Sequence, residues 1–166
     1  LRSRGLGDVY KRQAALAEQM ALRYKDYPGL VAWHVANEYS TFCHCENCEK
    51  KFRVWLKKKY GTTEELNKRW NTSFWGRTVY DFDTIMLPTE RNDDDKFFPA
   101  KQLDYQRFVT DTTEECFLNE ANVLRRITPD IPVFSNISGF IKKLNQFQLT
   151  RNMDIVGCLL YTSPRP

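Results

Sequence analysis

Several absences bound what this chain can be. No apolar run approaches the 18 or so residues that a membrane-crossing helix needs, and no charged stretch followed by an apolar one opens the chain, so neither a membrane span nor a secretory signal is expected. There is no Gly-rich phosphate loop and no His-Glu-x-x-His site. Histidine is scarce, with 2 in 166 residues. Charge is also short of a nucleic-acid footprint: 25 Lys and Arg against 21 Asp and Glu leave +4, and the excess is scattered. The chain is too short for a complete eight-stranded (β/α) barrel, which takes roughly 200–250 residues. A piece of such a barrel remains open.

What is present is an apolar fraction of 42% with 28% charged residues, a normal globular balance. Four Trp, eight Tyr and eleven Phe suit a large core and equally a carbohydrate site. Of the five Cys, three sit together at Cys43, Cys45 and Cys48, whereas Cys116 and Cys158 are isolated. An odd count with one tight cluster argues for metal or free thiols in a reducing compartment rather than a disulfide framework. The two ends differ from the middle. Residues 1–13 and 158–166 continue no neighbouring pattern and resemble translated adapter sequence, which leaves 14–157 as the informative core.

Along that core, Leu16, Met20 and Tyr24 keep helical spacing until Pro28-Gly29 breaks it. Leu30 to Val35 then form a short apolar run, as expected of a buried parallel strand. It ends in polar Asn37-Glu38. Cys48, Phe52, Trp55, Leu56 and Tyr60 line one helical face up to Gly61. Thr62-x-x-Glu65 is a capping-box signature opening another helix with Leu66 and Trp70. Residues 71–98 read as a long aromatic loop, a type that is often functional. Residues 100–128 form the longest helical pattern, through Tyr105, Val109, Thr112, Cys116, Val123 and Ile127. VFSNIS at 133–138 and MDIVG at 153–157 read as strands around a short helix marked by Ile141, Leu144 and Phe147. Strands alternating with helices mean parallel βαβ units. Three strands cannot close a barrel, so an open α/β arc is expected, with a helical excursion after its first strand.

Glu38 is the candidate catalytic residue. In α/β barrels the active site lies at the C-terminal strand ends. A carboxyl half-shielded there by Trp and Tyr loses solvation, which favours its acid form. A general acid working at neutral pH needs that. Asn37 is placed to hydrogen-bond a substrate hydroxyl, for example at the sugar 2-position. His34 reads as a hydrogen-bonded structural histidine. Asn136, near the end of the second strand, is a weaker candidate on the same side. The alternative for Glu38 is a strand-end residue that caps a helix or pairs with a surface Arg.

The ordered series Trp33 to Tyr39, Cys43/Cys45/Cys48, Phe52/Trp55/Leu56, Tyr60-Gly61-Thr62, Asn67/Trp70 and Phe74-Trp75 resembles the glycoside hydrolase family 42 β-galactosidases. Gln102, Asp104, Tyr105, Arg107 and Phe108, and later Pro132 to Gly139, extend the likeness over about 14–157. The resemblance implies a partial (β/α)8 TIM barrel, about strands four to six. It implies a retaining enzyme acting on terminal β-D-galactosides, with two carboxyls about 5 Å apart. Glu38 would be the acid/base. The nucleophile would be a Glu at the seventh strand, beyond this chain, so the fragment alone is expected to be inactive. Glu90, Glu114 and Glu120 sit in a loop or a helix and are not promoted to that role. Trp75 would wall the galactose subsite.

For the cysteines the resemblance implies structural zinc, held by Cys43, Cys45 and Cys48 with a fourth ligand missing from this chain. A closed zinc site takes four ligands; His44 is the local substitute, and free thiols without metal are the alternative. The expected setting is a cytoplasmic bacterial enzyme, often trimeric, with a β-galactoside substrate and no nucleic-acid or membrane partner. Two other readings stay open: a related arabinosidase or glucosidase, and a non-catalytic zinc-binding module. The module would require a second ligand pair downstream. None follows, since the next Cys is Cys116 and no His follows His44.

Overall fold

A computed structural model describes residues 6–39, 42–89, 98–138 and 143–158. The chain divides into two units, one formed by Leu1–Thr41 with Thr110–Pro166 and the other by Phe42–Val109.

The first unit contains α1 (Leu6–Tyr24), β1 (Trp33–His34), most of α4 (Pro99–Ile127), β2 (Val133–Ile137), α5 (Gln146–Thr150) and β3 (Ile155–Cys158). The three strands form a parallel sheet in the order β1-β2-β3. Trp33 pairs with Val133, and Phe134 to Ile137 pair with Ile155 to Cys158. This is the expected βαβ pattern, with two differences in the first elements. The helix begins at Leu6 rather than near residue 14, and it buries Ala17 and Ala21 while Leu16, Met20 and Tyr24 stay exposed. The buried stripe is thus turned by one residue, with Ala17 and Ala21 in the core cluster that holds Phe117 and Ala121. Strand β1 is only two residues long. Its burial alternates, with Trp33 and Val35 buried, His34 between them exposed and Val31 exposed as well.

So short a strand is held by groups on both sides of it. Trp33 N–H donates to the Pro132 carbonyl (2.9 Å) and Val35 N–H to that of Phe134 (2.8 Å). The Trp33 indole donates to Thr128 Oγ1 at 2.9 Å, just past the end of α4. The core around it comprises Phe117, Ala121, Leu124, Val133 and Leu149. Ala121 fills the turn of α4 where the apolar repeat lapses at Glu120, and Phe117 rather than Cys116 carries the fully buried position. Of the residues expected to mark the short helix, Phe147 is exposed and Leu149 is its core contact, whereas Ile141 lies outside the described residues.

The second unit contains α2 (Glu46–Tyr60), α3 (Thr63–Trp70), 3-10 turns at Phe74–Gly76 and Phe82–Thr84, and the start of α4. Gly61 ends α2 with φ +73°, a conformation that costs glycine nothing. Thr62 caps α3 by accepting from Glu65 N–H at 3.2 Å, as its capping signature predicts. The long segment after α3 is fastened rather than loose. Asn67 donates to the Val79 carbonyl (2.7 Å), while its carbonyl accepts from Val79 N–H (2.8 Å) and Thr72 Oγ1 (2.7 Å). Arg53 donates to the Ile85 carbonyl at 2.6 Å.

Asp104 is the polar centre of this unit. Its carboxylate is 1% exposed and accepts from Lys59, Tyr60, Trp70 Nε1 (2.9 Å) and Arg107 (3.0 Å). Burial works against its charge, yet these donors overcome that and hold the carboxyl below the usual aspartate range. The lowered value means that the contribution is full above the unfolded pKa of about 4 and is lost as pH falls through the folded value. Replacing Asp104 by Ala strands the Lys59 charge, the part-buried Tyr60 hydroxyl and the buried Trp70 N–H. It should cost about 3 kcal/mol in urea unfolding at pH 7. The gap between wild type and variant should narrow below pH 4.

Candidate active site and cysteine cluster

Because β1 and β2 run parallel in register, their C-terminal ends lie side by side. Beyond β1 the backbone leaves the extended region twice, at Ala36 (φ 54°) and Glu38 (φ 43°). A left-handed residue other than glycine costs about 1–2 kcal/mol, and such strain persists only where surrounding groups dictate it. At Glu38 that group is Asn136, near the end of β2 and buried. Its Oδ1 accepts from Glu38 N–H (3.0 Å) and contacts His34 Nε2 (3.1 Å), and its Nδ2 donates to Asn37 Oδ1 (2.9 Å). His34 also stacks on Phe134, with ring centroids 4.9 Å apart. Thus Glu38, Asn37, His34 and Asn136 form one constellation, with Glu38 half-buried and Asn37 exposed.

Other titratable groups of the first unit lie outside this constellation. Asp154 accepts from Val133 N–H at 2.8 Å, at the opposite end of β2 from Asn136. Glu114 accepts from Gln148 (2.7 Å) and Asn152. Glu120 is raised above the usual carboxylate range by burial. Tyr39 has a buried hydroxyl with no hydrogen-bond partner among the described residues. Burial, then the charges of Cys116, Glu120 and Tyr10, push it well above its ordinary value.

The cysteine cluster belongs to the second unit. Cys45 is the N-cap of α2 and Cys48 lies in its first turn. The sulfurs of Cys43, Cys45 and Cys48 all lie within 4.8 Å of one another, with Cys45 and Cys48 at 3.6 Å. A disulfide would need about 2.05 Å. Four thiolates around zinc at about 2.3 Å sit about 3.8 Å from one another, so the set has the spacing of a shared metal ion. Cys48 N–H lowers the Cys45 thiol most, followed by the Cys43 side chain. Burial, then the neighbouring thiols, push Cys48 up to about 12. His44 does not join the group; its ring tilts against Tyr105 at 5.1 Å. The loop is anchored by Tyr105, whose hydroxyl donates to the Cys43 carbonyl at 2.9 Å. Trp75 falls in the first 3-10 turn, but its side chain lies outside those described.

The β-galactosidase model of glycoside hydrolase family 42 matches residues 7–165. The chain belongs to this family. Family 42 relatives include β-galactosidase BgaP of Planococcus sp. (strain L4), 46% identical over 146 residues, which are 86% of this chain and 22% of that protein. β-Galactosidase bgaB of Geobacillus kaustophilus is 45% identical over 90% of this chain and 22% of its own length. The crystal structure of β-galactosidase from Bacillus circulans sp. alkalophilus superposes with a TM-score of 0.85 at 46% identity, covering 95% of this chain and 24% of that one. The chain therefore spans less than a quarter of the family 42 proteins it matches.

Sequence reasoning singled out Glu38, Asn37 and the cysteines. It underrated Asn136, although an Asn inside an apolar strand, one strand over from Asn37-Glu38, was the available signal. The Tyr105–Cys43 anchor gives a direct check. Tyr105→Phe keeps the ring contacts and removes one hydrogen bond, so it should lower unfolding stability by about 1 kcal/mol, read as a shifted urea midpoint with an unchanged slope.

Proposed function

We propose that this chain is the acid/base-bearing part of a retaining β-galactosidase, its strands being the fourth to sixth of a (β/α)8 barrel. One observation carries the reading: Glu38 stands at the C-terminal end of a parallel sheet, on a left-handed backbone held by Asn136, in a chain of family 42. Relatives named as β-galactosidases support the substrate class. In this reading Glu38 protonates the departing glycosidic oxygen and later takes a proton from the attacking water. Asn37 donates to the sugar 2-hydroxyl, where hydrogen bonds strengthen in the transition state. Trp75 walls the galactose. The carboxylate nucleophile comes from outside this chain, so residues 14–157 alone release no galactose.

The assay uses a full-length protein carrying this segment. Glu38→Ala should lower kcat/KM roughly 10²–10⁴-fold for β-galactosides with poor leaving groups. It should affect 2,4-dinitrophenyl β-galactoside far less, because that leaving group departs unprotonated. Azide should restore turnover and yield the β-galactosyl azide. Equal activity of Glu38→Ala and wild type on poor leaving groups would overturn the reading.

The three cysteines are the proposed zinc ligands, with the fourth from outside this chain. Zinc would supply structure only, clamping the loop between β1 and α2. Metal analysis of the full-length protein should find one zinc per chain. Cys48→Ser should abolish it and lower the melting temperature, while kcat below that temperature changes less than about threefold, since a structural site takes no part in the chemistry. The expected assembly is a homotrimer in the bacterial cytoplasm.

A further inference from the structure

The constellation at the strand ends has a direction built into it, which follows from which atoms are able to donate. Glu38 N–H can only donate, so the Asn136 atom facing it at 3.0 Å is the carbonyl oxygen Oδ1. That places the Asn136 NH2 toward Asn37. An NH2 only donates, so Asn37 must present its own oxygen, as it does at 2.9 Å. Among the described residues the Asn37 NH2 makes no hydrogen bond, and Asn37 is exposed. The same Oδ1 faces His34 Nε2 at 3.1 Å, so the His34 proton resides on Nε2. The Phe134 ring stacked on His34 keeps that nitrogen in place. Asn136 itself is 8% exposed and rides on the paired strand β2, opposite Gly157 of β3. The Glu38 backbone thus fixes the sense of Asn136, and Asn136 fixes the sense of Asn37.

We propose that Asn136 is a positioning residue for the acid/base end of β1, setting Asn37 as a donor to the substrate and holding the Glu38 backbone. This rests on the reading of Glu38 and Asn37 given above. Nothing else in the constellation imposes a sense on Asn37, because an unpaired amide presents either end to solvent. The substitution Asn136→Asp separates the two roles. A carboxylate still accepts from Glu38 N–H and from His34, but it cannot donate. Asn37 would then turn its NH2 inward and offer the sugar only an oxygen.

The test uses a full-length protein carrying this segment and two probes, 2,4-dinitrophenyl β-D-galactoside and its 2-deoxy analogue. With this leaving group kcat/KM reports glycosylation without help from the acid, so a charge placed near Glu38 does not confound it. The readout is the ratio of kcat/KM between the two probes, compared across variants. Asn37→Ala and Asn136→Asp should each reduce the preference for the 2-hydroxyl substrate by roughly 10–100-fold, the range of one strong hydrogen bond. The double variant should lose no more than either alone. A residue with only a scaffolding role would slow both probes alike and leave the ratio untouched. Should Asn136→Asp fail to show a folded thermal transition, Asn136→Ala serves; it frees the Asn37 amide rather than reversing it, so a smaller loss of preference in the same direction is expected. A preference lost in Asn37→Ala but intact in the Asn136 variants overturns this inference alone. A preference that survives Asn37→Ala overturns the substrate reading of Asn37 together with the inference. The azide rescue of Glu38→Ala reports separately on the acid/base assignment.

Discussion

The parallel pairing of β1 with β2 is the constraint on which the strand-end constellation depends. It sets Trp33 beside Val133 and His34 beside Phe134, and so brings the residues that follow each strand to one end of the sheet. Two residues of strand cannot sustain that register by backbone hydrogen bonds alone. The Trp33 indole bonded to Thr128 secures one end of β1. The Asn136 amide bonded to Glu38 and Asn37 secures the other. Between them lies an apolar face, Trp33 and Val35 packed with Phe117 and Val133, that supplies most of the stabilisation. A one-residue slip would carry Trp33 and Val35 to the opposite face. It would also separate Glu38 from the carbonyl that determines its backbone.

In the second unit, two adjacent residues of α4 divide the organising work. Asp104 gathers donors from α2 and α3 and keeps a buried charge satisfied. Tyr105, about 100° further round the helix, packs against Phe52 and Phe108 and reaches the Cys43 carbonyl. The cysteine loop is therefore held by Tyr105 at the Cys43 carbonyl and by the first turn of α2, for which Cys45 is the N-cap. Burial, followed by the charges of the three cysteines, raises the Tyr105 hydroxyl, which keeps it protonated as a donor.

Much of this was legible from residue patterns. The helices α2 and α3, the Thr62 cap and the two later strands follow from apolar spacing and terminal signals, which are local. The burial of Ala17 and Ala21 in preference to Leu16 and Met20 was not legible, because it depends on which neighbour leaves room for a small residue. Residues 71–89 read as loop because their order comes from Asn67 and Arg53, partners that carry no periodicity. Asn136 was hidden for a related reason. A buried Asn in a strand is ambiguous until its partners are known, and those partners are about 100 positions away in sequence. Glu38 could be named because an abrupt change from apolar strand to Asn-Glu is itself local, and because the surrounding residues match a family.

The strain at Ala36 and Glu38 gives that last point physical content. Two left-handed residues beside one strand end together cost about 2–4 kcal/mol, a large part of the net stability of an ordinary domain. A fold that only needed to terminate β1 would have placed glycine there and avoided the expense. Ala36 and Glu38 instead keep their side chains, and at Glu38 the conformation is held by a buried amide that accepts from its N–H. Strain of this kind is informative when the residue carrying it is also the one proposed to do the chemistry, as Glu38 is. The left-handed turn points the carboxyl in a direction an extended strand would not, and the partner that enforces the turn also orients the adjacent Asn37. Under the proposal above, the Glu38 backbone, its carboxyl placement and the donor sense of the neighbouring amide are governed together from β2 through the Asn136 side chain.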